Sequence, residues 1–519
     1  EMLRSLVGSE MCIRDRCIDA QKSQMIYAFG GHRKNKLIVT FGEQKAKELY
    51  DEYSFFDKEV VYYPSKDVLF YQSDIRGNLL TAERIRALKA IHEQESVTLV
   101  TTFDALMNTM APIEKMWENV LTLEQGQLLD LKEIQAALIR MGYEKEYQVQ
   151  TMGQFSVRGG ILDVFPLTED NPIRIELWGD EIDTIRYFDC ESQKSIENTD
   201  RVSIYPAAEL VLSDEEKAGG IEKLKAEAKR VSDKLRKQMK TEEAHRVTVM
   251  ADELTEEWGE LSMYAGMDAF LSYFFDERVG LLDYFNPSDS LIFFDELTRC
   301  AEQGKLTETE FSESMKQRLA MGYILPGQMN GLFTEKEIVA KLGKYSCIAL
   351  AALDNKANGL HQLGSYGIHC QSVSPYNNSF ELLIKDLKRY KKNGYRVILL
   401  SGSRTRAKRL SEDITDQGIT CFYTENYDHE LFEGQIMVCY GKVRRGFEYP
   451  ILKFAVITES DIFGAQQKKK KRHRTYEGEK IQSFTDLSVG DYVVHENHGL
   501  GIYRGIEKLE VDKKVKDYI

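Results

Sequence analysis

Two carboxylates close an apolar run: residues 291–294 (LIFF) are followed by Asp295 and Glu296. At the end of a strand in a nucleotide hydrolase, such a pair holds Mg2+ and orients the attacking water. That chemistry needs a second element, a GxxxxGK[ST] loop whose amides cradle the phosphates. The sequence contains none, since Gly304-Lys305, Gly343-Lys344 and Gly441-Lys442 lack both the upstream glycine and the following Ser or Thr. The acidic pair therefore reads as a structural remnant, and the chain is expected not to hydrolyse ATP. Arg444-Arg445 has the residue type of an arginine finger, but without a nucleotide site it reads as part of a solvated loop. His495 and His498 stand at a turn with no Cys or carboxylate cluster nearby, so packing is expected there and not a metal. The eight cysteines include no CxxC pair, a pattern of reduced cytosolic thiols. No catalytic, nucleotide-binding or metal-binding residue and no cofactor is expected.

A different chemistry, recognition, is written in residues 155–166 (FSVRGGILDVFP), where apolar residues flank Gly159-Gly160. This reads as two short strands joined by a tight glycine turn. A second pair follows: 173–178 (IRIELW), the turn Gly179-Asp180, and 181–189 (EIDTIRYFD). With a period of two, Ile173, Ile175 and Leu177 share one face while Arg174, Glu176 and Trp178 share the other. Ser156 and Arg158 likewise oppose Phe155 and Val157. The apolar face must supply the core, so the other face is expected to be exposed. Trp and Arg carry most interface hot spots, and their placement there predicts a docking surface.

The elements that must position this surface follow from periodicity. Residues 36–41 (KLIVTF), 60–63 (VVYY) and 97–102 (VTLVTT) read as strands between helices at 43–53 and 81–93, an alternation that predicts a parallel α/β sheet. A helix within 121–143 ends at Gly142. Residues 213–258, rich in Glu, Lys and Ala, read as surface helices forming a solvated connector, with Gly219-Gly220 as the one break. A second α/β unit spans about 373–460, with helices at 380–392 and 404–417 and strands at 395–401, 435–439 and 453–458. Lys plus Arg number 69 against 83 Asp plus Glu, a net charge of −14. Any nucleic-acid contact must then come from a local basic patch. The strongest charge block, 466–474 (QQKKKKRHR), reads as a linker. No stretch has the apolar run of a membrane helix, and a cytoplasmic protein is expected.

The run VRGGILDVFP…PIRIELWGDEIDTIRYFD…SIYPAAE resembles the UvrB-homology module of the bacterial transcription-repair coupling factors. The order of the later elements agrees with that family from residue 17 onward. The resemblance implies an α/β multidomain chain: helicase-like parallel α/β domains with an inserted antiparallel β-hairpin module and a truncated Tudor-like β-barrel at the C-terminus. Its divisions are 17–122 (domain 1a, degenerate and without a phosphate loop), 123–210 (domain 2), 211–345 (domain 1b), 346–462 (domain 3), 463–483 (basic linker) and 484–519 (partial polymerase-interacting, CarD-like domain). Residues 1–16 depart from the family pattern and are set aside as a doubtful end.

As partners the resemblance implies UvrA, held by Arg158, Arg174 and Trp178, and the β subunit of RNA polymerase, held by Ile506, Lys508 and Leu509. It also implies that ATP, Mg2+ and double-stranded DNA belong to translocase domains outside this chain, which is an adaptor with no membrane contact. The alternative is a catalytic UvrB-like damage verifier or helicase. That reading needs an intact phosphate loop and an aromatic hairpin; Tyr62-Tyr63 and Phe70-Tyr71 are aromatic but no such hairpin accompanies them.

Overall fold

A computed structural model describes residues 11–15, 17–31, 33–66, 78–260, 267–352 and 362–464, and the strand segments 492–495, 499–502, 507–511 and 514–518. The chain divides into two units, residues 1–465 and 466–519. Strands whose sequences are almost continuously apolar build the central sheet of the first unit. All six residues of Ser290–Asp295 and all five of Thr98–Thr102 and Ser346–Leu350 are buried, as expected where helices cover both faces of a parallel sheet. The order is Gln362–Gly367, Met11–Asp15, Ser346–Leu350, Ser290–Asp295, Asn35–Thr40, Thr98–Thr102 and Val61–Tyr63, and every pairing is parallel. Met11–Asp15 belongs to the segment that departs from the family pattern, yet its backbone is paired on both sides.

The expected hairpins form as a six-stranded sheet: Ser195–Thr199, Glu181–Phe188, Ile173–Trp178, Ile161–Val164, Gln154–Arg158 and Glu144–Lys145. Its apolar face (Phe155, Leu162, Val164, Ile173, Ile175, Ile182 and Ile185) packs with Ile134 and Leu138 of the helix Leu131–Arg140. The chain leaves this module at Glu209, which is buried against the first sheet. Arg84 donates to it twice, at 2.7 and 3.0 Å, and stacks on the Tyr63 ring at 4.1 Å. Lys66 lies 3.2 Å away. Burial alone would raise the Glu209 carboxyl, but the two cations hold it at about 2.

Two sequence expectations about 213–258 are corrected. The helix Asp214–Lys237 runs straight through Gly219-Gly220, and the break comes at 238–240, where Met239 adopts φ +63° before the helix Thr241–Glu260. Nor is the pair a solvated connector. Leu224, Ala228, Leu235, Ala244, Val247, Ala251 and Trp258 form a core with Phe270, Tyr273 and Phe274. Gly220 is the point of closest approach, because a Cβ there would stand 2.2 Å from Phe274.

The second α/β sheet has the order Gln371–Ser372, Phe447–Tyr449, Phe454–Thr458, Arg396–Ser401, Ile436–Tyr440 and Phe422–Tyr423. Its last four strands are parallel and its first two pairings antiparallel. This sheet packs against the helices Asp19–Gly30 and Glu43–Tyr53. The Tyr449 hydroxyl donates to Gln24 at 2.9 Å, and the Arg444 guanidinium meets Glu48 at 2.7 Å while its backbone N–H reaches Glu52. Arg444 is thus tied to this seam, while Arg444 and Arg445 both stay exposed, as the solvated-loop reading expects. In the second unit, Tyr492–His495 pairs with Gly499–Ile502 and Glu507–Val511 with Lys514–Tyr518, both antiparallel. The linker reading at 466–474 and the Phe70-Tyr71 and His498 readings lie outside the described residues, as does the side chain of His495.

Candidate functional site

Two-residue turns set the geometry of the docking face. Arg158 pairs with Ile161 across Gly159-Gly160, and Trp178 with Glu181 across Gly179-Asp180. Gly159 and Gly179 have φ +62° and +67°, conformations that a side chain disfavours and that match the twist of a tight hairpin. Between Glu176 and Leu177 the register slips so that Asp183 is left unpaired. Such a bulge sharpens the local twist and re-aims the strand end. Trp178, beyond it, is 84% exposed.

The face expected to be bare is only partly so. Ser156 and Asp163 are buried there, and Asp163 is the hub. It stands in register with Arg174 on the neighbouring strand and accepts two hydrogen bonds from that guanidinium, at 2.7 and 2.8 Å. A third comes from Arg158 at 3.1 Å. Arg174 also donates to Gln193 and stacks on the Phe188 ring at 4.3 Å. The hydrogen bonds to Asp163 hold its guanidinium above its ordinary range. The two arginines reach solvent unequally, the Arg158 side chain being 38% exposed and that of Arg174 12%. Arg158 can meet a partner directly, whereas Arg174 acts first as a fixed strut under the face.

Trp178 stands at the other end of the same strand face, about 13 Å from Arg174 at the strand rise of about 3.3 Å per residue. It borders an open groove of about 710 Å3 whose other walls include Glu124, Glu181, Asp183, Asp200 and Arg201. Leu128, 75% exposed, is bridged to Glu181 at its rim. The face thus offers two projecting apolar side chains among charges fixed by a rigid sheet, the composition of an interface anchor. Asp163 was missed from the sequence. Its only signal was the hairpin spacing that sets an acidic residue across from Arg174.

The hydrolase corner is filled. Lys22, buried in the helix Asp19–Gly30, extends to the end of the Ser290–Asp295 strand. Its ammonium lies 2.5 Å from Asp295, 2.7 Å from Asp19 and 3.0 Å from Glu296. Burial would lower its pKa, but these carboxylates raise it, so the group stays charged. Glu296 has φ +58° and also accepts the Ala352 N–H at 2.9 Å. Lys22-Ser23 has the last two residues of a phosphate loop, with Gln21 where that loop requires glycine. Among the described residues no group of three or more His, Cys, Asp or Glu is arranged to hold a metal ion, and no helix is long and apolar enough to cross a membrane. Ile506 lies outside the described residues, and of Lys508 and Leu509 only the paired backbone is described.

Comparison with known proteins places these features. Residues 121–210 match the UvrB interaction domain and residues 487–519 the CarD-like/TRCF RID domain. Over 485 residues the chain is 30% identical to the transcription-repair-coupling factor of Bacillus subtilis (strain 168), a match covering 93% of this chain and 41% of that protein. The counterpart of Staphylococcus haemolyticus (strain JCSC1435) is 29% identical over 498 residues, covering 94% of this chain and again 41% of the relative. The chain thus spans about two-fifths of the length of these curated relatives.

Proposed function

We propose, from the premise that this chain is a stretch of a transcription-repair-coupling factor, that it is an adaptor between nucleotide excision repair and transcription. Residues 121–210 recruit UvrA, and residues from 484 onward contact the β subunit of a stalled RNA polymerase. The observation that carries the first half is Trp178, projecting from a rigid strand end inside the residues that match the UvrB interaction domain. Trp178 is the desolvated anchor of that contact, Arg158 its charged rim, and Arg174 holds the face in shape through Asp163. For the second half, the ladders at 492–502 and 507–518 are the first strands of a Tudor-like barrel, with Ile506, Lys508 and Leu509 on its polymerase side.

ATP-driven translocation along double-stranded DNA, with ATP and Mg2+ as cofactors, is assigned to other parts of the full-length relatives. In this chain the corner that would serve it is taken up by the Lys22 ammonium among Asp19, Asp295 and Glu296. That arrangement also disfavours the second reading, a catalytic UvrB-like damage verifier, which needs the corner open to phosphate.

Titration calorimetry of the full chain with UvrA tests the proposal. Trp178→Ala is expected to weaken binding about 30-fold or more, the cost of removing a hot-spot anchor, with no change in melting. Arg158→Ala is expected to weaken it less. Absence of binding by the folded, unsubstituted chain, or full affinity in Trp178→Ala, refutes it. For polymerase, Leu509→Ala should reduce co-elution with the core enzyme on gel filtration.

A further inference from the structure

We propose that the carboxyl-terminal edge of the second α/β sheet is a phosphate-contacting strip that holds the backbone of a nucleic acid. The parallel strands Arg396–Ser401 and Ile436–Tyr440 are neighbours that end in register, Ser401 beside Tyr440. The segments that leave them, 402–409 and 441–446, therefore emerge side by side at the edge where open α/β sheets bind their ligands. Seven of these fourteen residues are Arg or Lys and none is acidic: Arg404, Arg406, Lys408, Arg409, Lys442, Arg444 and Arg445. All seven are exposed. In a chain of net charge −14 this is the kind of local patch that a phosphate contact demands.

The two segments are tied to the same point. Glu459, which follows the strand Phe454–Thr458, accepts from the Gly402 N–H at 2.6 Å and the Ser401 hydroxyl at 2.8 Å, and it pairs with Arg406. The next residue, Ser460, donates to the Arg444 carbonyl at 2.5 Å. Three carboxylates meet side chains of the strip: Glu459 meets Arg406, Glu48 meets Arg444, and Glu425 approaches Arg404 at 3.9 Å, the limit of contact. Two more, Glu52 and Asp461, accept its Arg444 and Gly446 backbone N–H groups. Lys408, Arg409, Lys442 and Arg445 have no ion-pair partner among the described residues.

Two features select a polymer's phosphates over other anions. The amide end of the helix Arg404–Asp416, where a mononucleotide would place its phosphate, is already capped by the Ser403 hydroxyl, which accepts the Arg406 N–H at 3.2 Å, and the Glu459 carboxylate sits on the Gly402 N–H just before it. The remaining cations project outward on long side chains, Arg404 and Lys408 one helical turn apart, and suit a row of charges more than a single one. The exposed positions of both segments also include no aromatic or large aliphatic side chain, so the strip lacks the anchors of a protein interface.

The test is fluorescence anisotropy with labelled duplex and single-stranded oligonucleotides between about 50 and 200 mM salt. Lys468, Lys469, Lys470, Lys471, Arg472 and Arg474 are replaced by alanine throughout, so that this other basic block keeps no Lys or Arg. Adding Lys408→Ala, Lys442→Ala and Arg445→Ala together is expected to weaken binding at least tenfold at the low-salt end. The slope of log K against log salt should flatten by about 2 to 3, at roughly 0.9 for each phosphate that the variant no longer neutralises. The control triple Lys225→Ala, Lys229→Ala and Lys234→Ala on the helix Asp214–Lys237 should bind like its parent. The proposal is overturned if the parent shows no salt-dependent binding to either oligonucleotide, or if the strip variant binds within twofold of it. It is equally overturned if the control weakens binding as much, since net charge alone would then explain the effect.

Discussion

Gly219 and Gly220 are adjacent in sequence, both lie inside the helix Asp214–Lys237, and their replacement by alanine should move stability in opposite directions. In a helix interior, Gly→Ala gains up to about 1 kcal/mol from backbone entropy and helix propensity. At Gly219 nothing lies within 4 Å of an added Cβ, so that gain should appear in full. At Gly220 the Cβ would stand 2.2 Å from Cδ1 and Cε1 of Phe274. That ring is itself buried and packed on Trp258 with centroids 5.8 Å apart, so it has little room to yield. Overpacking of this kind costs about 1–3 kcal/mol. The propensity gain is common to both variants and cancels in their difference, which should therefore be about 1–3 kcal/mol in favour of Gly219→Ala. Thermal melting followed by circular dichroism gives the order of stability, and amide exchange over residues 214–237 locates the change. Phe274→Leu should shrink the penalty at Gly220 and leave Gly219→Ala untouched. If Gly220→Ala is as stable as Gly219→Ala, the close packing of this helix on Phe274 is wrong. If both are destabilising, the helix breaks at the pair after all.

Other consequences follow from buried charge. Lys22→Met leaves three carboxylates converging without their cation and should cost about 3–5 kcal/mol, the usual result of removing one partner from a buried pair; a wild-type melting curve would refute that role. Glu209, held at about 2 against an ordinary 4.5, contributes stability that is complete above pH 4.5 and is lost as the pH falls toward 2. The loss should approach about 3 kcal/mol, and Glu209→Gln, less stable at neutral pH, should show a flatter acid limb in melts across that range. Asp163→Asn weakens the charge-assisted bonds to Arg158 and Arg174 and should lower UvrA affinity although Asp163 is buried. Arg174→Lys, which cannot make the two-point contact, should lower it as well, and an unchanged calorimetric titration for both variants would show that the arginine strut is not needed.

Much of the architecture was legible residue by residue. The hairpins at 154–164 and 173–188 announced themselves through alternation and glycine turns, and the parallel strands through short apolar runs between helices, because those signals are carried by neighbours in sequence. Trp178 was found the same way, as the last outward position of a period-two strand. What tertiary structure alone decided were the charges that had to find partners far along the chain. Lys22 reaches Asp295 across 273 positions, and the Arg444 backbone reaches Glu52 across 392. Gly220 reads as a helix breaker until Phe274 is brought over it. Asp163 turns what looked like a free face of arginines into a braced one. Periodicity and turn chemistry determine which face of an element is apolar. Which buried charge meets which depends on how those faces stack, and the desolvation that makes such pairs obligatory exists only after they have.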